Sequence, residues 1–275
     1  MTQDSPRSPR LPSLLCTSRN PADALNGDRS PPPSEADPIQ TSFSNQCLAS
    51  PESSIATAGR GLAGSEERPT SPARLVVFLS GRGSNLAALL AAQENGPLRG
   101  LGEIVGVVSD HPSAGGLRVA MNAGLPTLVV MPQGRTREEH DQAILRQVAR
   151  WRPDLLLLAG YRRLVSSVLV NAFPGRILNI HPADPAQFRG LHAYRWAWEQ
   201  ALPETTVTIH LVDEGMDTGP ILAQAPVDLR GANGPDEVEQ RGLRVEHALY
   251  PRTVAEYIMQ RYRQTGGLPC AASSA

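Results

Sequence analysis

In ILNIHP (177–182) an asparagine and a histidine stand two residues apart near the end of an apolar run that reads as a strand. Side chains alternate along a strand, so Asn179 and His181 project from the same face. An amide donor beside an imidazole can polarise a carbonyl and move a proton, the two tasks of acyl transfer at its tetrahedral stage. A third group lies in DEGMDTGPIL (213–222), a glycine-rich turn carrying Asp213, Glu214 and Asp217. Acidic residues beside glycine are ordinarily solvated. Asp217 differs, because Thr-Gly-Pro and a buried strand follow it and could hold its carboxylate in a crevice. A carboxylate near a histidine favours the imidazolium. No serine or cysteine sits in a nucleophile elbow, which is no obstacle if the substrate itself brings an amine. No metal is expected, since the six histidines share no tight spacing and neither a His-Glu-x-x-His nor a paired-cysteine motif occurs.

SGRGSN (80–85) lies between a predicted strand and a predicted helix, where free backbone N–H groups and the helix dipole suit an anion such as phosphate. It is neither a nucleotide P-loop nor a dinucleotide fingerprint. No lysine follows the second glycine at the required spacing, and Leu86 occupies the third glycine position. Arginines in GRTREEHD and GYRR are candidates for bidentate clamps on carboxylate or phosphate.

These residues need a scaffold, and the apolar pattern supplies one. RLVVFLS (74–80), EIVGVVSD (103–110), LPTLVVM (125–131) and DLLLLAG (154–160) read as buried strands. NLAALLAAQEN and AGGLRVAMNAG read as helices between them, the second stopped by Gly124. TREEHDQAILRQVARW opens with Thr136 and Glu139 at capping-box spacing and carries Ile144, Val148 and Trp151 on one face. Strand and helix alternating with continuously apolar strands predict a Rossmann-like α/β fold: an open, mostly parallel sheet with helices on both faces. After RILNIH, the runs TTVTIHLVD (205–213) and ILAQAPVDL (221–229) are too close for a crossover helix and predict an antiparallel C-terminal extension. A last helix, roughly 236–263, contains Gly242, which costs about 1 kcal/mol relative to alanine. Ligands gather outside the carboxyl ends of strands in such sheets, which brings GRGSN, AGYRR and NIHP to one crevice.

Composition bounds the rest. Residues 1–72 are crowded with Ser, Pro, Gly, Asp and Arg and predict a disordered N-terminal extension, leaving 73–267 for one folded domain and 268–275 for a flexible tail. Removing 1–72 is expected to leave activity intact. A net charge of -1 gives no reason to expect nucleic acid or an anionic membrane as partner. No run of eighteen apolar residues occurs, and Cys16, Cys47 and Cys270 all lie in the tails, fitting a reducing, cytoplasmic setting.

FLSGRGSNLAALL, LLLAGYRRLV, ILNIHP with FRGLHAYRWAWE, VTIHLVDEGMDTGPIL and EHALYP together resemble, in order, the motifs of the phosphoribosylglycinamide formyltransferases, over roughly 74–260. The resemblance implies formyl transfer from 10-formyltetrahydrofolate to the amine of glycinamide ribonucleotide, with no metal, by a monomer or homodimer. It implies that Asn179 orients the formyl oxygen and contacts the folate. His181 is the implied general acid; Asp217 favours the protonated histidine and orders water, and His210 lines the site. Gly83, Ser84, Asn85 and Glu246 match the ribonucleotide site. Arg137, Arg162, Arg163, Leu164 and Val165 match the folate site. The chain departs from the family pattern at Ala183, Asp184, Pro185 and Ala186, where Ser-Leu-Leu-Pro is usual, at Thr206 in place of glycine, and at Asp110 in place of asparagine. Asp184 is expected to bring a negative charge beside His181, and Thr206 to obstruct the approach of a substrate to the backbone. GLHAYR and the lack of a further RNA-binding domain speak against a methionyl-tRNA formyltransferase. Formyltetrahydrofolate deformylase, or a folate- or nucleotide-binding homologue impaired by the altered loop 183–186, remain the alternatives.

Overall fold

The computed structural model describes residues 69–265. The expected N-terminal extension, save its last four residues, and the expected tail lie outside the described residues. Seven strands form one sheet in the order β3-β2-β1-β4-β5-β6-β7. They are β1 (Ala73–Leu79), β2 (Gly102–Ser109), β3 (Thr127–Val129), β4 (Leu155–Leu158), β5 (Ile177–His181), β6 (Glu204–Leu211) and β7 (Ile221–Asp228). β1 to β5 pair in parallel, whereas β5 with β6 and β6 with β7 are antiparallel. The antiparallel extension is as the sequence predicts. Its cause is connection length, since nine residues join β6 to β7 and no crossover helix fits between them.

Alternate residues of the central strands feed two separate cores. Leu75, Val77, Leu79, Leu155, Leu157, Leu178 and Ile180 pack on one face, while Val76, Phe78, Leu156, Leu158 and Ile177 pack on the other. The first face is covered by α1 (Ser84–Asn95), α2 (Gly115–Asn122), α5 (Ala193–Glu199) and α6 (Pro235–Thr265), the second by α3 (Arg137–Val148) and α4 (Ser167–Ala172). Burial on both faces is why these strands are apolar throughout. The row of Ile177 continues as Asn179 and His181, so polar groups replace apolar ones where that row reaches the carboxyl end of the strand.

One sequence expectation changes. β3 is not buried: it is an edge strand, with Thr127 and Val129 exposed, and the apolar demand of this segment falls on Val130 just beyond it. The sequence shows no sustained period for α4 or α5, which have six and seven residues. Such short helices are stabilised by packing more than by their own pattern. The capping box at Thr136 is formed in both directions: Glu139 N–H donates to Thr136 Oγ1 at 3.1 Å, and Thr136 N–H to Glu139 Oε2 at 2.9 Å.

Candidate active site

A cavity of about 580 Å³ opens at the carboxyl ends of β1, β4 and β5. GRGSN, GYRR and NIHP all line it, as the rule for open α/β sheets predicts. Gly83, at φ 84°, is the N-cap of α1 and turns the chain so that Ser84 and Asn85 enter the helix at the cavity wall. A Cβ there would lie 2.4 Å from Gly116 Cα, so only glycine fits.

Asn179 and His181 come from β5, and His210 is the direct cross-strand partner of Asn179 on β6. Asp217 arrives on the turn between β6 and β7. Of the three acids in that turn, only Asp217 reaches the cavity. Asp213 holds the turn itself, its Oδ1 accepting from Gly215 N–H at 3.0 Å and Thr218 Oγ1 at 2.7 Å. Asp217 adopts φ 52°, a left-handed conformation that aspartate tolerates better than most residues.

The four side chains form one network. Asn179 Nδ2 donates to Asp217 Oδ1 at 3.3 Å and lies 3.1 Å from His210 Nε2. His210 Nδ1 is 2.8 Å from the Leu211 carbonyl, which can only accept, so Nδ1 carries a hydrogen. His210 Nε2 can then accept from Asn179 or, when protonated, give to Asp217 Oδ1 at 3.4 Å. His181 Nε2 donates to the Phe188 carbonyl at 2.9 Å, while its Nδ1 faces Asp217 Oδ2 at 3.6 Å. The Gly190 N–H completes the set at 3.0 Å from Asp217 Oδ2. The side chains of His181, His210 and Asp217 are only 4%, 3% and 12% exposed, so their charges interact with little solvent screening. Burial pushes the Asp217 carboxyl up, but the His210 hydrogen bond, the Gly190 amide and the charges of both histidines outweigh it and hold the group below its usual value. The longest contacts, at 3.3, 3.4 and 3.6 Å, are the weakest and are those a reacting group can take over at least cost.

The loop after β5 is tied down on several sides. Thr208 Oγ1 donates to the Ala183 carbonyl at 2.8 Å, and Phe188 stacks on Trp196 with centroids 4.8 Å apart. Asp184, expected beside the histidine, instead accepts from Ala186 N–H at 2.9 Å and closes its own turn; it does not line the cavity. A short polar side chain next to a proline is better satisfied by the backbone two residues on than by a distant imidazole. Asp184→Asn keeps this acceptor and removes the charge, so kcat/KM is expected to stay within about threefold of the parent. A tenfold rise in a formyl-transfer assay would show instead that the charge reaches His181. Thr206 also lies away from the cavity, paired with Pro226 four residues before His210, and obstructs no approach to it.

Among the expected binding residues, Gly83, Ser84, Asn85 and Glu246 line the cavity, with Asn85 hydrogen-bonded to Glu246, and Arg162, Arg163, Leu164 and Val165 line it as well. Arg137 is not brought in; it opens α3, exposed, and does not line the cavity. Four participants escape sequence reasoning: the Phe188 carbonyl and Gly190 amide, which any residue type would present, and the exposed pair Arg82 and Glu239, which both line the cavity and are ion-paired between the β1–α1 loop and α6. Among the described residues no group of three or more His, Cys, Asp or Glu side chains is placed to hold a metal ion, and no helix is long and apolar enough to cross a membrane.

A donor amide, an imidazole and a carboxylate in one sheltered cavity suit acyl transfer to an amine, and similarity to known proteins points the same way. The chain is 38% identical over 183 residues to the trifunctional purine biosynthetic protein adenosine-3 of Drosophila melanogaster, covering 66% of this chain but only 14% of that protein. It is 33% identical over 182 residues to the phosphoribosylglycinamide formyltransferase of Escherichia coli (strain K12), covering 66% of this chain and 85% of the relative. The crystal structure of phosphoribosylglycinamide formyltransferase from Brucella melitensis superposes with a TM-score of 0.63 at 39% identity, over 68% of this chain and 96% of that one. Residues 73–254, which carry every strand and all but the end of α6, match the model of the formyl transferase family, and the chain belongs to that family.

Proposed function

We propose that this chain transfers a formyl group from 10-formyltetrahydrofolate to the amine of glycinamide ribonucleotide, working in the cytoplasm as a monomer or homodimer. The observation that carries the reading is the convergence of Asn179, His181 and Asp217 on a cavity that GRGSN, Glu246 and Arg162–Val165 also line. A volume of about 580 Å³ is in the range of small-molecule sites, about 300–1,000 Å³. Gly83, Ser84 and Asn85 would hold the phosphate with backbone N–H groups at the start of α1. Arg162 and Arg163 would meet the carboxylates of the folate, with Leu164 and Val165 against its rings. The residues fit such a ligand, since the folate side of the wall joins basic and apolar groups and the Arg162 N–H is fixed to Ser80 Oγ at 2.9 Å.

The bound folate supplies the formyl carbon as the electrophile. Asn179 Nδ2 gives a hydrogen to the oxygen that gains charge, exchanging its long contact with Asp217. The amine of glycinamide ribonucleotide would attack the formyl carbon and, as the bond to the folate nitrogen breaks, His181 would give its proton to that nitrogen; the proton that the amine sheds recharges the imidazole, whose positive form Asp217 holds. Substrate entry displaces side-chain contacts longer than 3.2 Å while the Gly190 hydrogen bond to Asp217 stays. Incubating the full chain with both substrates tests the reading. Formylated glycinamide ribonucleotide is the expected product; free formate alone would make the chain a deformylase, and binding of both ligands without turnover a binding protein.

A further inference from the structure

Gly242 lies inside α6, where glycine is disfavoured, and packing explains it. A Cβ on Gly242 would lie 2.1–2.2 Å from the ring and hydroxyl of Tyr194. The missing side chain lets the Tyr194 ring, 9% exposed, rest against the helix backbone one turn before Glu246. From there the Tyr194 hydroxyl donates to Glu246 Oε1, while Asn85 Nδ2 donates to Glu246 Oε2 at 2.6 Å. Glu246 is 5% exposed and Asn85 6%, yet both line the cavity, and Asn85 Oδ1 has no hydrogen-bond partner. Burial, followed by the charge and hydrogen bond of Glu246, pushes the Tyr194 phenol well up, so it remains a donor at any working pH.

The protein's own donors are thus consumed on two sides of the carboxylate. What remains at this wall is a set of acceptors: the second lone pairs of Glu246 and, beside them, the buried Asn85 Oδ1. A ligand that satisfies them must present hydroxyl donors close together, as the adjacent hydroxyls of a ribose do. We propose that Tyr194 is a positioning residue that, with Asn85, clamps Glu246 so that this wall selects a sugar carrying two neighbouring hydroxyls, and that Gly242 exists to make room for it. The proposal rests on the glycinamide ribonucleotide reading and adds to it the residue that sets sugar specificity.

Binding of ribose 5-phosphate and of 2-deoxyribose 5-phosphate to the full chain, measured by calorimetry, tests this without relying on turnover. Tyr194→Phe is expected to weaken ribose 5-phosphate binding about tenfold and 2-deoxyribose 5-phosphate binding much less, collapsing the preference between them. In the formyl-transfer assay the same change is expected to raise the KM for glycinamide ribonucleotide about tenfold with kcat nearly unchanged. Gly242→Ala should reproduce the loss by pushing the ring off Glu246, and in a Glu246→Gln background Tyr194→Phe should be silent. An unchanged ribose preference in Tyr194→Phe, with only the melting temperature lowered, would reduce Tyr194 to a structural contact and overturn the proposal. If the preference collapses but the parent makes no formylated product, the sugar clamp stands and the transferase reading falls.

Discussion

Replacing His181 by alanine is expected to lower kcat about a thousandfold or more while the protein stays folded. Acid–base catalysis by a positioned side chain contributes about 10²–10⁴-fold, and of the two other imidazoles that line the cavity, His192 and His210, only His210 belongs to the network. His210 is a poor substitute, because its Nδ1 is fixed on the Leu211 carbonyl and its Nε2 sits against Asn179. The fold should survive, since the change leaves one orphan, the Phe188 carbonyl, at a cost of about 1–3 kcal/mol. Circular dichroism and a melting curve check the fold, and single-turnover rates check the chemistry. Near-normal turnover in a folded His181→Ala protein would remove the histidine from the mechanism.

Asp217→Asn should act almost as strongly, lowering kcat about a hundredfold or more with a smaller change in KM. The substitution keeps the shape of the side chain but removes the charge that faces both histidines at 3.6 and 3.4 Å. It also creates a conflict of donors. Gly190 N–H and Asn179 Nδ2 approach different oxygens of Asp217, and an asparagine amide offers only one oxygen. Either the Gly190 turn or the Asn179 side chain must therefore rotate out of place, and a small misplacement of a catalytic donor costs about 10²-fold in rate. The same residue makes stability pH-dependent. Its carboxyl is held below the usual value in the folded protein, so it stabilises the fold fully at neutral pH, and that stabilisation disappears as the pH falls through the lowered value. In Asp217→Asn the acid-melting curve should lose this contribution at pH values below the ordinary aspartate range. A variant with undiminished kcat would show that the carboxylate serves only the turn.

Much of this protein is written in its sequence, because strand and helix periods are local properties. Leu75 to Leu79 and Leu155 to Leu158 can be uniformly apolar only if both faces of the sheet are covered, which fixes the α/β class before any contact is known. The spacing of two between Asn179 and His181 likewise fixes that they share a face, and the order of strands sets them at the carboxyl end with GRGSN and GYRR. Nothing local distinguishes Asp217 from Asp213 or Glu214, however. That choice is made by the Gly190 amide and by His210, whose side chains and backbone arrive from elsewhere in the chain. Asp184 shows the same limit in reverse, since its charge looks decisive in sequence and is satisfied by its own turn in space. Gly242 reads as a flaw in a helix until the Tyr194 ring is seen against it. The sequence by itself determines period, face and order along the sheet; which acid, which carbonyl and which ring meet in the cavity is decided by tertiary packing, because hydrogen bonds and van der Waals contacts act over a few ångströms of space whatever the separation along the chain.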